Sequence, residues 1–255
     1  MKYYPTFLLI GVLIANCYAL PVVLEDVYEY PEVMSGYFEG DMDIELTRNG
    51  DISESKRWPD GIVYYKISDD YDDDHVEYIK GAMQAIESAS CVKFRPAKDN
   101  MTAFLDINGN KPGCSATVGY IGRRQYLNLR ATRLGTACFQ NGTIIHEMLH
   151  TLAFYHQHNV PNRDDYIRIV EENMNESNLK FYNKYKEEDI TDFGVEYDYD
   201  SIMHYHATAN SNNGKKTIVP LKDENIAIGQ RRGLSDGDIE KLNAMYNCDD
   251  KRAVF

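Results

Sequence analysis

Between residues 146 and 156 the chain reads His-Glu-Met-Leu-His-Thr-Leu-Ala-Phe-Tyr-His, and this run restricts the fold more than any other. A helix turns by about 100° per residue, so His146 and His150 share one face, where both imidazoles reach a single metal ion. Glu147 lies one step round, within reach of a water on that ion but not placed as a ligand. Ile144, Ile145, Met148, Leu149 and Leu152 surround these residues and mark the helix as buried. Histidine and glutamate are costly in a core unless something compensates them, and a metal does so.

A third ligand is needed, with one coordination position left open for water. His156 is the candidate. From His150 to His156 an unbroken helix would rotate by roughly 600°, carrying His156 off the shared face. The helix must therefore stop near Ala153 and the backbone must turn back. A left-handed turn there costs an alanine roughly 1–2 kcal/mol, tolerable where a metal over-determines the geometry. Three neutral imidazoles leave a zinc ion strongly Lewis-acidic, and Glu147 is then placed to take a proton from water and pass it on.

The 255 residues are 43% hydrophobic, enough for a sizeable core in one or two domains. A net charge of −13 argues against nucleic acid or an anionic membrane as partner. Phe7 to Ala15 behind Lys2 form the one long apolar run, too short to span a bilayer, and residues 1–19 read as a cleaved export signal. Its removal takes Cys17 and leaves Cys91, Cys114, Cys138 and Cys248, which suggest two disulfides with three connectivities open. Asn100, Asn141 and Asn175 begin glycosylation sequons, the one at Asn141 crowded against the metal-binding helix.

Residues 20–48 read as an acidic leader, or propeptide, with Arg48 as its base. Within it, Phe38-Glu39-Gly40-Asp41 sets a carboxylate beside a flexible glycine, so Asp41 could enter a cleft and occupy the open metal position. A trypsin-like protease cutting after Arg48 would leave Asn49 as the new N-terminus of a catalytic domain over 49–255, with a subdomain boundary near 156.

The patterning beyond Trp58 is α+β. Residues 61–68, 91–95, 103–107, 115–120 and 125–130 read as strands of a mixed sheet, with a helix opening at Asp72 to Asp74 and carrying Val76, Ile79, Met83 and Ile86. The second half is less regular, with a short strand over 165–170, a polar helix over 171–186, and a last helix capped by Ser235 and Asp238.

Several of these segments together resemble the astacin family of zinc metalloendopeptidases, within the metzincin clan. The pieces are Phe38-Glu-Gly-Asp41, Arg57-Trp-Pro-Asp-Gly61, the extended zinc stretch, Asn162-Arg-Asp-Asp-Tyr-Ile167, Ser201-Ile-Met-His-Tyr205, Gly229-Gln-Arg231 and Leu234-Ser235, in order over about residues 38 to 248. The resemblance implies a metzincin-type fold of two subdomains about a cleft, with one Zn²⁺ per chain on His146, His150 and His156. It implies catalytic roles for Glu147 and Tyr205, the latter also a displaceable fifth ligand, and a Met-turn at Met203. Asp41 would block the zinc of the latent form, and the disulfides would be Cys91–Cys248 and Cys114–Cys138.

The edge strand holding Ser115 and Thr117 would bind substrate backbone. Separately, Arg231 and Arg232 lie in a segment expected to approach the pocket beyond the scissile bond, where they would favour acidic residues. His158, His204 and His206 read as surface or supporting residues. The chain departs from the family pattern at Ala153, where glycine is usual, and at Gln157, where a glutamate normally pairs with the mature N-terminus. Val160 and Asn162 also replace charged residues common there. The expectation is a secreted, monomeric, glycosylated endopeptidase acting on protein or peptide substrates, without nucleic acid or a membrane span. The alternative is an inactive, zinc-stabilised binding protein.

Overall fold

A computed structural model describes residue 31, residues 35–44 and residues 54–249. The expected signal over 1–19 and the expected cut between Arg48 and Asn49 lie outside them. Chain order is β1 (Met42–Asp43), β2 (Ile62–Ile67), α1 (Asp73–Ala89), β3 (Lys93–Pro96), β4 (Leu105–Asn108), β5 (Cys114–Thr117), β6 (Gln125–Leu129), α2 (Asn141–Thr151), β7 (Ile167–Ile169), β8 (Ile218–Pro220) and α3 (Asp236–Met245).

β1 to β6 form a six-stranded sheet in the order β1-β5-β6-β4-β2-β3. Its strands run parallel except across β5 and β6. α1 supplies the crossover that a parallel β2–β3 pair requires. The Asp72 side chain caps it by accepting from the His75 N–H at 2.9 Å, and Asp73 and Asp74 complement the positive end of its dipole. Its buried residues Ile79, Ala82, Met83 and Ile86 keep helical spacing. α1 packs against α2, which is buried from Gly142 to Thr151. One apolar cluster joins both helices to the sheet.

The edge of this sheet bears directly on the cleft. β5 would be the outermost strand but for β1, which comes from the acidic leader and lies parallel to it. The Ala116 N–H donates to Asp41 O at 2.9 Å and the Val118 N–H to Asp43 O at 3.2 Å.

The second half folds around Ile167, Met174, Tyr182, Tyr197, Tyr205 and Ile218, with β7 and β8 antiparallel. Residues 171–186 do not form the expected polar helix. Glu171–Asn173 and Glu176–Tyr182 are 3-10 turns. Asn173, Asn175, Ser177 and Asn178 favour local turns over α-helix. The backbone between them serves a neighbouring segment instead, Met174 bridging Ser211 and Asn173 O accepting from the Asn212 N–H at 2.8 Å.

α3 carries a full capping box between Ser235 and Asp238. It returns the chain to the first half, where Leu242 and Tyr246 join the main core and Cys248 bonds Cys91 across 157 residues. A second disulfide joins Cys114 on β5 to Cys138 just before α2. Among the described residues no helix is long and apolar enough to cross a membrane.

Candidate metal centre and cleft

α2 ends in the turn that His156 demands. Ala153 adopts φ 75°, and the Phe154 N–H reaches back to Leu149 O while the Ala153 N–H bonds His150 O, both at 2.9 Å. That pairing closes a Schellman motif with alanine at the position glycine usually takes. The reversal also turns the Phe154 carbonyl towards His150, whose Nδ1 donates to it at 2.8 Å. Trp58 Nε1 donates to Thr151 O at 3.0 Å and the Gly119 N–H to His150 O at 2.9 Å, so the last carbonyls of the helix are satisfied.

The outcome is one buried cluster of His146, His150, His156 and Asp41, with a candidate ligand atom of each within 4.8 Å of all the others. His146 Nε2 lies 3.2 Å from His150 Nε2 and 3.3 Å from Asp41 Oδ2, and Asp41 Oδ1 lies 3.4 Å from His156 Nε2. Tetrahedral ligands about 2.0–2.1 Å from zinc stand roughly 3.3 Å apart, so the donor spacing fits that ion. Each ring turns its other nitrogen outward to an acceptor at 2.8 Å, namely Ile202 O for His146, Phe154 O for His150 and Glu39 Oε2 for His156. Such partners fix the Nδ1–H tautomer and aim all three Nε2 lone pairs at the shared centre.

Asp41 Oδ1 and His156 Nε2 are fully buried with no hydrogen-bond partner, a costly state that a cation between them relieves. Burial would raise the Asp41 pKa, yet His156, His150 and His146 hold it well below the carboxylate range. Burial likewise opposes charge on His156, but Asp41 and Glu39 carry it up to about 9. Burial and Arg231 push the His146 pKa the other way, well below the usual imidazole range.

Glu39 is the residue that sequence reasoning missed. It is fully buried at φ 46°, with Oε2 on His156 and Oε1 accepting from the Tyr185 hydroxyl at 2.6 Å. Its carbonyl accepts from the Tyr205 hydroxyl. The leader thus engages the metal cluster, a ligand-orienting position and Tyr205 within three residues. Nothing in the sequence separates Glu39 from the other leader acids except its place beside Gly40 and Asp41.

The model of the Astacin peptidase family matches residues 51–247. The chain belongs to the astacin family. It is 41% identical over 236 residues to Seminal metalloprotease 1 of Drosophila melanogaster, covering 90% of this chain and 94% of that one. It is 37% identical over 194 residues to the zinc metalloproteinase nas-14 of Caenorhabditis elegans, 76% of this chain but 38% of that longer protein. Among solved structures it resembles High choriolytic enzyme 1, a hatching enzyme zinc-protease from Oryzias latipes, with a TM-score of 0.69 and 34% identity over 75% of this chain and 93% of that one. The protein is therefore a zinc metalloendopeptidase of metzincin-type α+β fold.

In this astacin-family chain the loop Ser201–Tyr205 lies beneath the ligands. Ile202 O accepts from His146 Nδ1, and Met203 O accepts from the Gln157 N–H at 3.0 Å, directly after His156. Asp238 holds the loop through Ser201 Oγ at 2.7 Å and the Ile202 N–H at 2.8 Å. Arg231 is buried and donates to Ile202 O at 3.0 Å and His204 O at 3.2 Å, which makes it a loop support. Arg232 is exposed and pairs with Asp200 at 2.7 Å. His158, His204 and His206 are buried, not at the surface; His158 stacks on the Tyr205 ring at 4.0 Å.

Gln157, directly after His156, finds its partner on α3. Lys241 on α3, 9% exposed, donates from Nζ to Gln157 Oε1 at 2.7 Å. Burial lowers the Lys241 pKa against the opposing pull of Asp238, Asp198 and Asp192. Lys241→Met leaves the Gln157 carbonyl buried without its donor and is expected to cost about 1–3 kcal/mol. Denaturant unfolding checks this; an unchanged midpoint would mean the link contributes nothing.

Proposed function

We propose that this zinc metalloendopeptidase is exported as a latent precursor and released by a cut near Arg48. The observation that carries the reading is the Asp41 carboxylate seated among the three Nε2 atoms while its own strand covers the β5 edge. A peptide segment that supplies both a strand and a carboxylate at the metal occupies the ground a substrate needs.

His146, His150 and His156 would hold the zinc through Nε2. Bound there, zinc supplies Lewis acidity and lowers the pKa of a water at the open position. With the leader gone, the Glu147 carboxylate takes the water's proton and later delivers it to the leaving amine. The Tyr205 hydroxyl exchanges the Glu39 carbonyl for the substrate's carbonyl oxygen and donates to it as negative charge develops, a contribution typically worth about 3–4 kcal/mol. The freed edge of β5, with Ser115 and Thr117, pairs with extended substrate backbone. Because Lys241 already supplies an ammonium to Gln157, activity is expected to tolerate ragged trimming around Asn49.

Two disulfides and the N-terminal apolar run support secretion. Asn100 and Asn175 are exposed and suited to glycans, whereas Thr143 of the third sequon is buried in α2. We assign the protein as a monomer acting on protein substrates. Limited trypsin treatment of the purified precursor, followed by casein digestion with and without a zinc chelator, tests the reading. Chelator-sensitive digestion after the cut and little before it is the expected result. Equal activity before the cut would remove latency, and none after it would leave a zinc-stabilised binding protein.

A further inference from the structure

Beside β5, away from the metal, is a cavity of about 370 Å³ whose walls come partly from the leader, through Tyr37 and Asp43, and partly from the catalytic part, through Lys111, Arg124 and Tyr126. Lys111 lies in the turn before β5. Its backbone is clamped by the buried Asn128 side chain, which accepts from the Lys111 N–H at 3.0 Å and donates to Lys111 O at 3.2 Å and Gly113 O at 2.9 Å. The ammonium therefore starts from a fixed base. Its partners are in the leader: Nζ donates to the Tyr37 hydroxyl and sits 4.9 Å over that ring. Asp43 is close enough to add to the Tyr37 effect, and together they outweigh desolvation and raise the Lys111 pKa.

Across the cavity Arg124 lies 5.3 Å over the exposed Tyr126 ring and pairs through Nε with Asp106 at 3.1 Å. The walls that remain without the leader thus carry two cations, Lys111 and Arg124, the latter paired with Asp106 behind the lining. When β1 leaves, Lys111 loses both Tyr37 and Asp43, and the strand that takes its place on β5 sends side chains into the same space.

We infer that this cavity is a substrate subsite in which Lys111, with Arg124 in another wall, selects an acidic side chain, the place Asp43 holds in the latent form. The inference rests on β5 being the substrate-binding edge. The subsite acts at short range. Acids still outnumber bases in the chain after Arg48, so acidic peptides are repelled from a distance, and Lys111 must recover that loss within hydrogen-bonding reach.

The test uses activated enzyme and peptide pairs that differ only in glutamate against glutamine, scanned along the positions flanking the cut. One position is expected to show a glutamate preference in kcat/KM of about three- to tenfold, as suits a charge-assisted bond on a partly solvated lysine. That ratio should fall towards one in Lys111→Ala, reverse in Lys111→Glu, and shrink in the wild type as salt is raised. A glutamate/glutamine ratio near one at every position, or a preference that survives Lys111→Ala, overturns the subsite. Cleavage of the glutamine peptides reports separately on the protease reading, so the two fail distinguishably.

Discussion

Glu147→Gln in the activated enzyme is expected to lower peptide-bond cleavage by about 10²–10⁴-fold while one zinc per chain stays bound. Glu147 is fully buried on α2, next to His146 yet outside the ligand cluster of His146, His150, His156 and Asp41. The amide matches the carboxylate in size, so the packing of α2 is kept and no ligand is lost. What disappears is the only function the mechanism asks of Glu147, taking a proton from water and returning it to the amine. Single-turnover rates on a peptide, zinc content by atomic absorption and a thermal melt separate the possibilities. A slow, zinc-replete, well-folded variant supports the role. Undiminished cleavage at full zinc content would take Glu147 out of the proton transfer, and lost zinc would make its contribution one of site assembly.

What could be read from the sequence divides along a physical line. Contacts dictated by local geometry were legible. The spacing of His146 and His150 fixes a shared face, and the need to bring His156 back forces the turn at Ala153, found at φ 75°. The Ser235–Asp238 box was likewise visible, because capping is a matter of three residues. The second task of Asp238, holding Ser201 and Ile202 beneath His146, spans 37 residues of sequence and leaves no local trace. The same holds for Lys241 on Gln157 and for Arg231 on the loop carbonyls. The polar stretch after Glu171 misled for a related reason. Its Asn and Ser residues favour turns, and pairing with Asn212 and Ser211, distant in sequence, decides its backbone. β1 is two residues of an acidic leader, a strand only because β5 offers an edge.

Asp41→Ala in the uncut precursor is expected to raise its basal proteolysis by about 10²-fold and to weaken the hold of the leader on the cleft. Besides the hydrogen bonds from Tyr205 and Lys111, three kinds of contact hold the leader. Backbone pairing with β5 and the Glu39 carboxylate on His156 and Tyr185 both survive the substitution. The carboxylate amid the three imidazoles does not, and a buried charge-assisted contact of about 2–3 kcal/mol corresponds to some 30–150-fold in the open population. Latency held by Asp41 therefore becomes leaky without becoming lost. Glu39→Gln supplies the contrast: it keeps the metal-facing carboxylate, removes the negative charge beside His156 and leaves one amide oxygen where His156 and Tyr185 each had their own, so it should act chiefly on zinc affinity. Casein digestion by each uncut variant, zinc retention during dialysis against a weak chelator, and the rate after trypsin cutting resolve the two. If the uncut Asp41→Ala chain stays as silent as the wild type, β1 on the β5 edge and Glu39 suffice for latency, and the carboxylate at the metal is dispensable to it.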